Sequence, residues 1–203
     1  CHQVSGGWKA DAVIVDEHGK ETAWLSLKDG KSPRHFGQWG GVSHLARDPE
    51  VASFVADLKS RFPDGLTAKT PTLGRPIKSP RLKALTTFGK EFGQAPSKSN
   101  VDLILQGVPA IYEQGGKPIL SGDHTWANGD IPEGDYEPIL SVRYTSDRSD
   151  FGIKHARVTV YPKNGRKWQL FTSADAVQPE SPEAVAPNDE PTPQPTPRPL
   201  GSV

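Results

Sequence analysis

Asp11 and Lys28 are the two residues whose types and spacing best suit phosphodiester chemistry. Asp11 begins a β-like run, 11–15, and Lys28 ends a second run, 22–28, with a polar turn at 16–21 between them, so the segments predict a hairpin. Such a hairpin brings a carboxylate and an ammonium together at the polar end of a sheet. The carboxylate can hold a divalent metal ion, and the lysine can orient or deprotonate an attacking water.

Side-chain alternation predicts which residues accompany this pair. Trp24, Ser26 and Lys28 fall on one face of the second strand, and Leu25 and Leu27 on the other. The competing interpretation is an ordinary solvated strand pair whose charged residues belong to its turns.

The hairpin resembles the core of the PD-(D/E)xK nuclease superfamily, in which an Asp opens one strand and (Asp/Glu)-x-Lys lies on the next. Asp11 matches the first acid, with Ala10 where the pattern often has Pro, and Lys28 matches the lysine. Ser26 stands where the second acid belongs. The resemblance covers about the first 60 residues in element order.

The resemblance implies a fold, a cofactor and roles for the catalytic residues. The fold is α/β, a restriction-endonuclease-like mixed sheet flanked by helices, with an antiparallel β-rich C-terminal half. Asp11 and the backbone carbonyl of Leu27 would bind Mg²⁺ or Mn²⁺, Lys28 would orient the water, and Gln38 would contact water or phosphate. Ser26 is also a predicted catalytic-site residue, at the position of the second acid, but it cannot act as a charged ligand. Activity would therefore need another acid from Asp16, Glu17, Glu21, Asp29 or an upstream helix.

Basic residues outside the hairpin predict contacts to DNA. The loop after Lys28 is rich in Gly, aromatic residues and polar donors, and loops of this kind often carry function. The C-terminal strands are also locally basic, with aromatic residues interleaved. The predicted nucleic-acid contacts are Lys31, Arg34, His35, Arg143, Arg157, Arg166 and Lys167, against the alternative of an ordinary charged sheet face.

Composition predicts one domain, residues 1–173, followed by a Pro-rich disordered tail, residues 174–203. The chain has 203 residues, 20 Pro, 20 Gly, one Cys and zero net charge. Residues 1–173 hold 23 basic and 19 acidic residues, so this part is mildly basic. The tail would be a spacer or a docking segment for a partner. No apolar run approaches the length of a membrane span.

The sequence begins at Cys1 and contains no Met, which favours a truncated chain over a processed lipoprotein. The missing segment would then be a possible source of the second acid. One cysteine excludes an internal disulfide. Neither a phosphate-binding P-loop nor a Gly-x-Ser-x-Gly elbow occurs.

Periodicity predicts the remaining elements. Helices are expected at 48–62 and 79–92, joined by a Pro- and Gly-punctuated connection, and strands at 101–106, 118–121, 139–144 and 156–161. The segment 123–130 is rich in Asp and His; a metal site and a polar hairpin loop are its two interpretations, and the loop is favoured.

Together these features favour a phage-type, metal-dependent DNA endonuclease, located in the host cytoplasm or in the virion. Two alternatives remain open. One is a non-catalytic virion or DNA-packaging component that keeps a nuclease-like fold, favoured by Ser26 and the Pro-rich tail. The other is a β module that binds carbohydrate or protein through Trp126, Tyr136 and Tyr144. The sequence gives no signal of oligomeric state.

Overall fold

A computed structural model describes residues 1–172, and the predicted tail lies outside the described residues. Two helices and twelve strands are formed: α1 Pro49–Arg61 and α2 Pro80–Phe88, with β1 His2–Gln3, β2 Ala12–Val15, β3 Glu21–Lys28, β4 Gly40–Gly41, β5 Leu73–Pro76, β6 Leu103–Gln106, β7 Ala110–Gln114, β8 Lys117–Ser121, β9 His124–Ala127, β10 Pro138–Tyr144, β11 Ala156–Pro162 and β12 Gln169–Leu170. The architecture is α/β with mixed sheets, as predicted, and most of its elements are strands.

Sheet 1 has the strand order β1-β2-β3-β6-β9 and contains the predicted hairpin. β2 and β3 are antiparallel, with Ala12 opposite Leu25. The turn between them is closed by Asp16, whose Oδ1 accepts hydrogen bonds from two backbone amides at 2.9 Å. β3 and β6 run parallel, with Lys28 beside Gln106. This hairpin is the element that sets the position of Asp11 and Lys28.

Sheet 2 has the order β12-β5-β10-β11-β4 and joins strands from both halves of the chain. The strands β10 and β11 of the β-rich C-terminal half are antiparallel to each other, and they also pair with strands from earlier in the chain, β10 with β5 and β11 with β4. Both faces of β10 and β11 are largely buried: one is apolar, and the other carries Arg143 directly opposite Arg157 at a partly exposed end of the two strands.

Helix α1 begins where the sequence predicts. Asp48 caps it by accepting hydrogen bonds from the amides of Glu50 and Val51, and Pro49 occupies the first turn. Its apolar residues Val51, Phe54 and Leu58 are fully buried in the core.

Helix α2 is shorter than predicted, ending at Phe88 and not at residue 92. Gly89 has φ +128°, and a Cβ at this position would lie 1.9 Å from the carbonyl oxygen of Ser99. The backbone needed for this close approach is incompatible with a continued helix.

Sheets 1 and 2 are linked by the segment 29–39, while β7 and β8 form a separate two-stranded sheet. The side-chain amide of Gln106 in sheet 1 donates to the carbonyls of Asp29 and Ser32 at 2.9 and 2.8 Å. At the other end, the backbone amide of Trp39 donates to the carbonyl of Val160 in sheet 2 at 2.7 Å. The segment is thus held by hydrogen bonds to both sheets.

Two aromatic side chains of this segment, Phe36 and Trp39, pack in an aromatic cluster. Phe36 and Trp39 have ring centroids 4.2 Å apart, and both rings also contact Trp126 of β9. The Tyr136 hydroxyl donates to Gln106 Oε1 at 2.7 Å, which ties the cluster to the amide that holds the segment. The orientation of the loop therefore depends on both apolar packing and a buried polar network.

In the described part of the chain, no helix has both the length and the apolar character needed to cross a membrane.

Candidate active site

Asp11 lies immediately before β2, and its position is set by the hairpin. Its backbone amide donates to the carbonyl of Leu25 at 2.8 Å. Its Oδ2 accepts hydrogen bonds from the amide of Leu27 at 2.7 Å and from Ser26 Oγ at 3.1 Å. Among the described residues no hydrogen bond reaches Oδ1, so this oxygen is left for a ligand.

Ser26 and Leu27 therefore both donate hydrogen bonds to the carboxylate of Asp11. Ser26 is completely buried and donates its hydroxyl to the carboxylate. The sequence predicted the carbonyl of Leu27, and not its amide, beside Asp11. In a strand the N–H and C=O of one residue point to the same side, so the Leu27 carbonyl lies on the edge that faces Asp11.

Lys28 ends β3 at the same edge of the sheet and is partly buried. Its Nζ lies 5.7 Å from the ring centroid of Phe36. Burial lowers the pKa of Lys28 from its ordinary value, while the carboxylates of Asp11 and Asp29 act in the opposite direction.

Asp11 and Lys28 line one cleft of about 510 Å³, and Gln38 lines it too. Three predicted catalytic residues are thus brought together from the hairpin and from the segment that links the sheets. Side chains that the sequence did not single out as catalytic complete the lining, among them Trp8, Lys9, His44 and Lys90.

Lys9 is the most informative of these missed residues. Its Nζ donates to the carbonyl of Trp39 at 2.5 Å. Burial lowers the pKa of the Lys9 amine well below its ordinary value, the charge of Lys28 lowers it further, and Asp11 opposes both effects. An anion in the cleft would favour the charged forms of both lysines. The spacing i, i+2 from Asp11 was the one signal available in the sequence.

His44 lies on the same cleft, and burial lowers the pKa of its imidazole, with a smaller contribution from Lys90. Asp11 is the single carboxylate among the described residues that line the cleft.

The candidates for a second acid lie elsewhere. Asp16, Glu17 and Glu21 are at the far end of the hairpin, where Asp16 closes the turn and Glu21 is opposite Val15. Asp29 follows Lys28 but is exposed and does not line the cleft. No helix precedes the hairpin in the part of the chain that the structure describes, so the predicted upstream helical donor is not found there.

Gln38 connects the cleft to the basic face of sheet 2. Its Oε1 accepts a hydrogen bond from Arg157 Nη2 at 3.2 Å, which leaves the amide nitrogen of Gln38 as the donor available to a ligand. Arg157 lies opposite Arg143, whose buried Nε has no hydrogen-bond partner in the described structure. Arg157, a predicted DNA contact, therefore touches the predicted catalytic residue Gln38, and Arg143 lies beside Arg157 on the neighbouring strand.

The other predicted DNA contacts lie around this face. A short turn formed by Pro33, Arg34 and His35 lies next to the 163–167 turn, since a Cβ on Gly165 would be 3.2 Å from the carbonyl of Pro33. This places Arg34 near the turn that carries Arg166 and Lys167, and Arg166 lies over the ring of Tyr161 at 4.7 Å. Lys31 lies apart from these residues and is exposed, and its Nζ is 3.9 Å from Asp123 Oδ1.

The segment 123–130 differs from the predicted hairpin loop, because His124–Ala127 forms strand β9 against β6. Trp126 is held by the aromatic cluster, which outweighs the polar character of its neighbours. Within the described residues, no group of three or more His, Cys, Asp or Glu side chains is arranged to hold a metal ion, here or at Asp11.

Comparison with known proteins finds one informative similarity. The chain is 32% identical over 174 residues to the Type II restriction enzyme CviJI of Paramecium bursaria Chlorella virus IL3A. The match covers 77% of this chain and 48% of the relative, so this chain spans about half the length of that protein. No protein-family model matches the chain, and no solved structure matches it.

Proposed function

We propose that this protein is a DNA endonuclease that hydrolyses phosphodiester bonds with the help of Mg²⁺ or Mn²⁺, on a restriction-endonuclease-like PD-(D/E)xK core. The observation that carries the proposal is the convergence of Asp11, Lys28 and Gln38 on one cleft beside a basic sheet face. The similarity to a viral restriction enzyme supports the same class of nuclease. A phage origin, and a location in the host cytoplasm or virion, remain predictions.

The donors at Asp11 fit a single metal ion. Oδ2 is occupied by two hydrogen bonds, so Oδ1 is available, and the Leu27 carbonyl lies on the same edge. Mg²⁺ is commonly held by one or two carboxylates together with water and substrate phosphate. Asp11 Oδ1 and the Leu27 carbonyl would hold the ion, which would polarise the phosphate and activate water when bound.

Lys28 would orient the attacking water and offset the negative charge that builds on the phosphate oxygens. The water oxygen forms a bond to phosphorus and gives up a proton to solvent, the bond from phosphorus to the leaving ester oxygen breaks, and that oxygen takes a proton from a solvent water. Gln38 would donate its amide N–H to the phosphate, while Arg157 holds its carbonyl oxygen. Ser26 would keep Asp11 in position without touching the substrate.

Lys31, Arg34, His35, Arg143, Arg157, Arg166 and Lys167 would contact the DNA backbone outside the cleft. Lys31, Arg34, His35, Arg166 and Lys167 are exposed, and Arg143 and Arg157 are partly exposed. This exposure suits phosphate contacts, which fix the register of a duplex without reading its sequence.

The proposal is tested by nicking of supercoiled plasmid with Mg²⁺ or Mn²⁺ and with EDTA. Wild type should nick only with the metal ion, and Asp11→Asn should lose the activity by at least about 10³-fold, because a neutral amide cannot replace the charged ligand. Asp16→Asn is the matched control, since Asp16 also accepts two hydrogen bonds, here from backbone amides, but lies at the far end of the hairpin.

The same experiment separates the alternative function. Salt-sensitive DNA binding without any nicking by wild type would indicate a non-catalytic DNA-packaging or virion component, which the serine at position 26 favours. Absence of both nicking and binding would exclude either nucleic-acid role.

A further inference from the structure

Lys9 is a polar side chain in the cleft to which the proposed reaction assigns no role. Its backbone is fixed from both directions: the amides of Lys9 and Ala10 donate to the carbonyl of Lys98 at 3.1 and 3.0 Å, and the amide of Asp11 donates to Leu25. The side chain therefore starts from a fixed point two residues from Asp11.

The far end of Lys9 is fixed as well. Its Nζ donates to the carbonyl of Trp39, and Trp39 is itself held by its amide hydrogen bond to Val160, by its ring N–H hydrogen bond to Tyr136 and by nearly complete burial of its ring. One donor position of Nζ is used by this contact, so others remain for a ligand.

Gly40 preserves the space around this nitrogen. A Cβ at Gly40 would lie 3.8 Å from Lys9 Nζ and 3.0 Å from the carbonyl of Thr86. A side chain here would fill the cleft beside Lys9, which glycine leaves open.

The charges around Lys9 call for an anionic ligand. Lys9 has no carboxylate within ion-pair distance among residues 1–172, and the cleft also contains Lys28 and Lys90 against Asp11 alone. A partly buried cationic group without a counter-ion is unfavourable unless a ligand supplies the opposite charge.

We infer that Lys9 is a second catalytic lysine, whose Nζ contacts the non-bridging oxygens of the DNA phosphate held between Asp11 and Lys28. Lys9 supplies positive charge and an N–H donor, and it forms no covalent bond. A second lysine would thus provide part of the charge stabilisation that a metal ion on a second acid would otherwise give. This inference rests on the proposed function.

The first test measures binding of a duplex oligonucleotide in EDTA over a range of salt concentrations, so that no cleavage occurs. Lys9→Met should lower the slope of log affinity against log salt concentration by about 0.9, the value for one lost phosphate contact on duplex DNA. Lys59→Met is the matched control: Lys59 is exposed on α1, away from the cleft, and its slope should equal that of wild type.

The second test is a double-mutant cycle on plasmid nicking at saturating DNA. Lys9→Met should reduce kcat by roughly 10- to 100-fold, and its effect combined with Lys28→Met should be smaller than the product of the two, because both act on one phosphate. Independent, fully multiplicative effects would contradict a shared phosphate.

A purely structural role predicts a different pattern. If Lys9 only tethers Trp39, Lys9→Met should lower Tm while the salt slope stays unchanged, and Lys9→Gln, which retains an N–H donor, should restore both Tm and kcat. That result would overturn the inference. In another outcome, the salt slope of wild type exceeds that of Lys9→Met by the expected amount while wild type never nicks DNA. That result would support the Lys9 contact to phosphate and refute only the proposed nuclease activity.

Discussion

The two sheets contribute to the cleft in different ways. Sheet 1 supplies Asp11, whose carboxylate is held by Ser26 and Leu27 of the same hairpin. These residues lie 15 and 16 positions after Asp11 in the sequence. Sheet 2 reaches the cleft through Gln38, which is held by Arg157, 119 positions away. The local contacts fix the groups proposed for chemistry, and the long-range contact joins them to a surface proposed for DNA.

This difference predicts that changes in the hairpin affect the rate of cleavage, whereas changes on the basic face of sheet 2 affect binding. The loop 29–39, held to both sheets, is where the two effects should meet.

After the proposed metal ligand Asp11, the largest effect is expected at Lys28. Lys28→Met should lower kcat for plasmid nicking by roughly 10²- to 10⁴-fold, because charge stabilisation and water orientation are both lost, while DNA affinity changes much less. Lys20→Met, in the exposed turn of the same hairpin, is the matched control and should nick like wild type. Equal losses in affinity and kcat at Lys28 would break the distinction between the sheets.

The opposite pattern is expected on sheet 2. Arg157→Gln and Arg143→Gln should each lower the salt slope of DNA binding by about 0.9, through loss of one phosphate contact apiece. Nicking at saturating DNA should fall less than binding does. Arg157→Gln should show the larger loss in kcat of the two, because Gln38 loses its partner as well.

What the sequence could predict follows the same division. The hairpin and α1 depend on nearby residues, such as the Asp16 turn and the Asp48 cap, so period-two alternation and capping rules were sufficient. Lys9 was missed because the carbonyl that fixes it belongs to Trp39, 30 positions away. Alternation alone cannot reveal a contact of that kind.

Strand β9 shows why polar sequence can mislead. His124 and Thr125 read as loop residues, but β6 supplies a free edge and the aromatic cluster supplies apolar contacts for Trp126. The two-residue strands β1, β4 and β12 could not be predicted from periodicity either, because each is defined only by its pairing with a partner strand.

A change in the aromatic network should affect both sheets at once. Tyr136→Phe removes the hydroxyl that donates to the fully buried Gln106, leaving the amide oxygen without that donor, so the free energy of unfolding should fall by about 1–3 kcal/mol. Nicking should weaken too, because Gln106 holds the loop that carries Gln38. Tyr112→Phe, at an exposed position in β7, is the control for urea unfolding.

The lysines of the cleft predict a dependence of stability on pH. Burial lowers the pKa of Lys9, so the folded state binds fewer protons than the unfolded state between that lowered pKa and the ordinary value near 10.5. The free energy of unfolding should therefore rise with pH across this window, and it should rise less steeply in Lys9→Met. Urea unfolding of both proteins at several pH values measures the two slopes, and equal slopes would show that Lys9 is not desolvated.

The smallest effect is expected from a substitution that lowers stability and leaves the cleft unchanged. Asp48→Ala removes the cap of α1, which packs in the core and does not line the cleft, so unfolding should become easier by about 1 kcal/mol. Asp48→Asn should recover most of this loss, since an amide oxygen can accept the same hydrogen bonds from Glu50 and Val51. Below the unfolding transition, kcat and the salt slope should match wild type in both variants. If Asp48→Ala alters kcat instead, the groups on the hairpin are not positioned by local contacts alone, and the contrast between the two sheets would have to include α1.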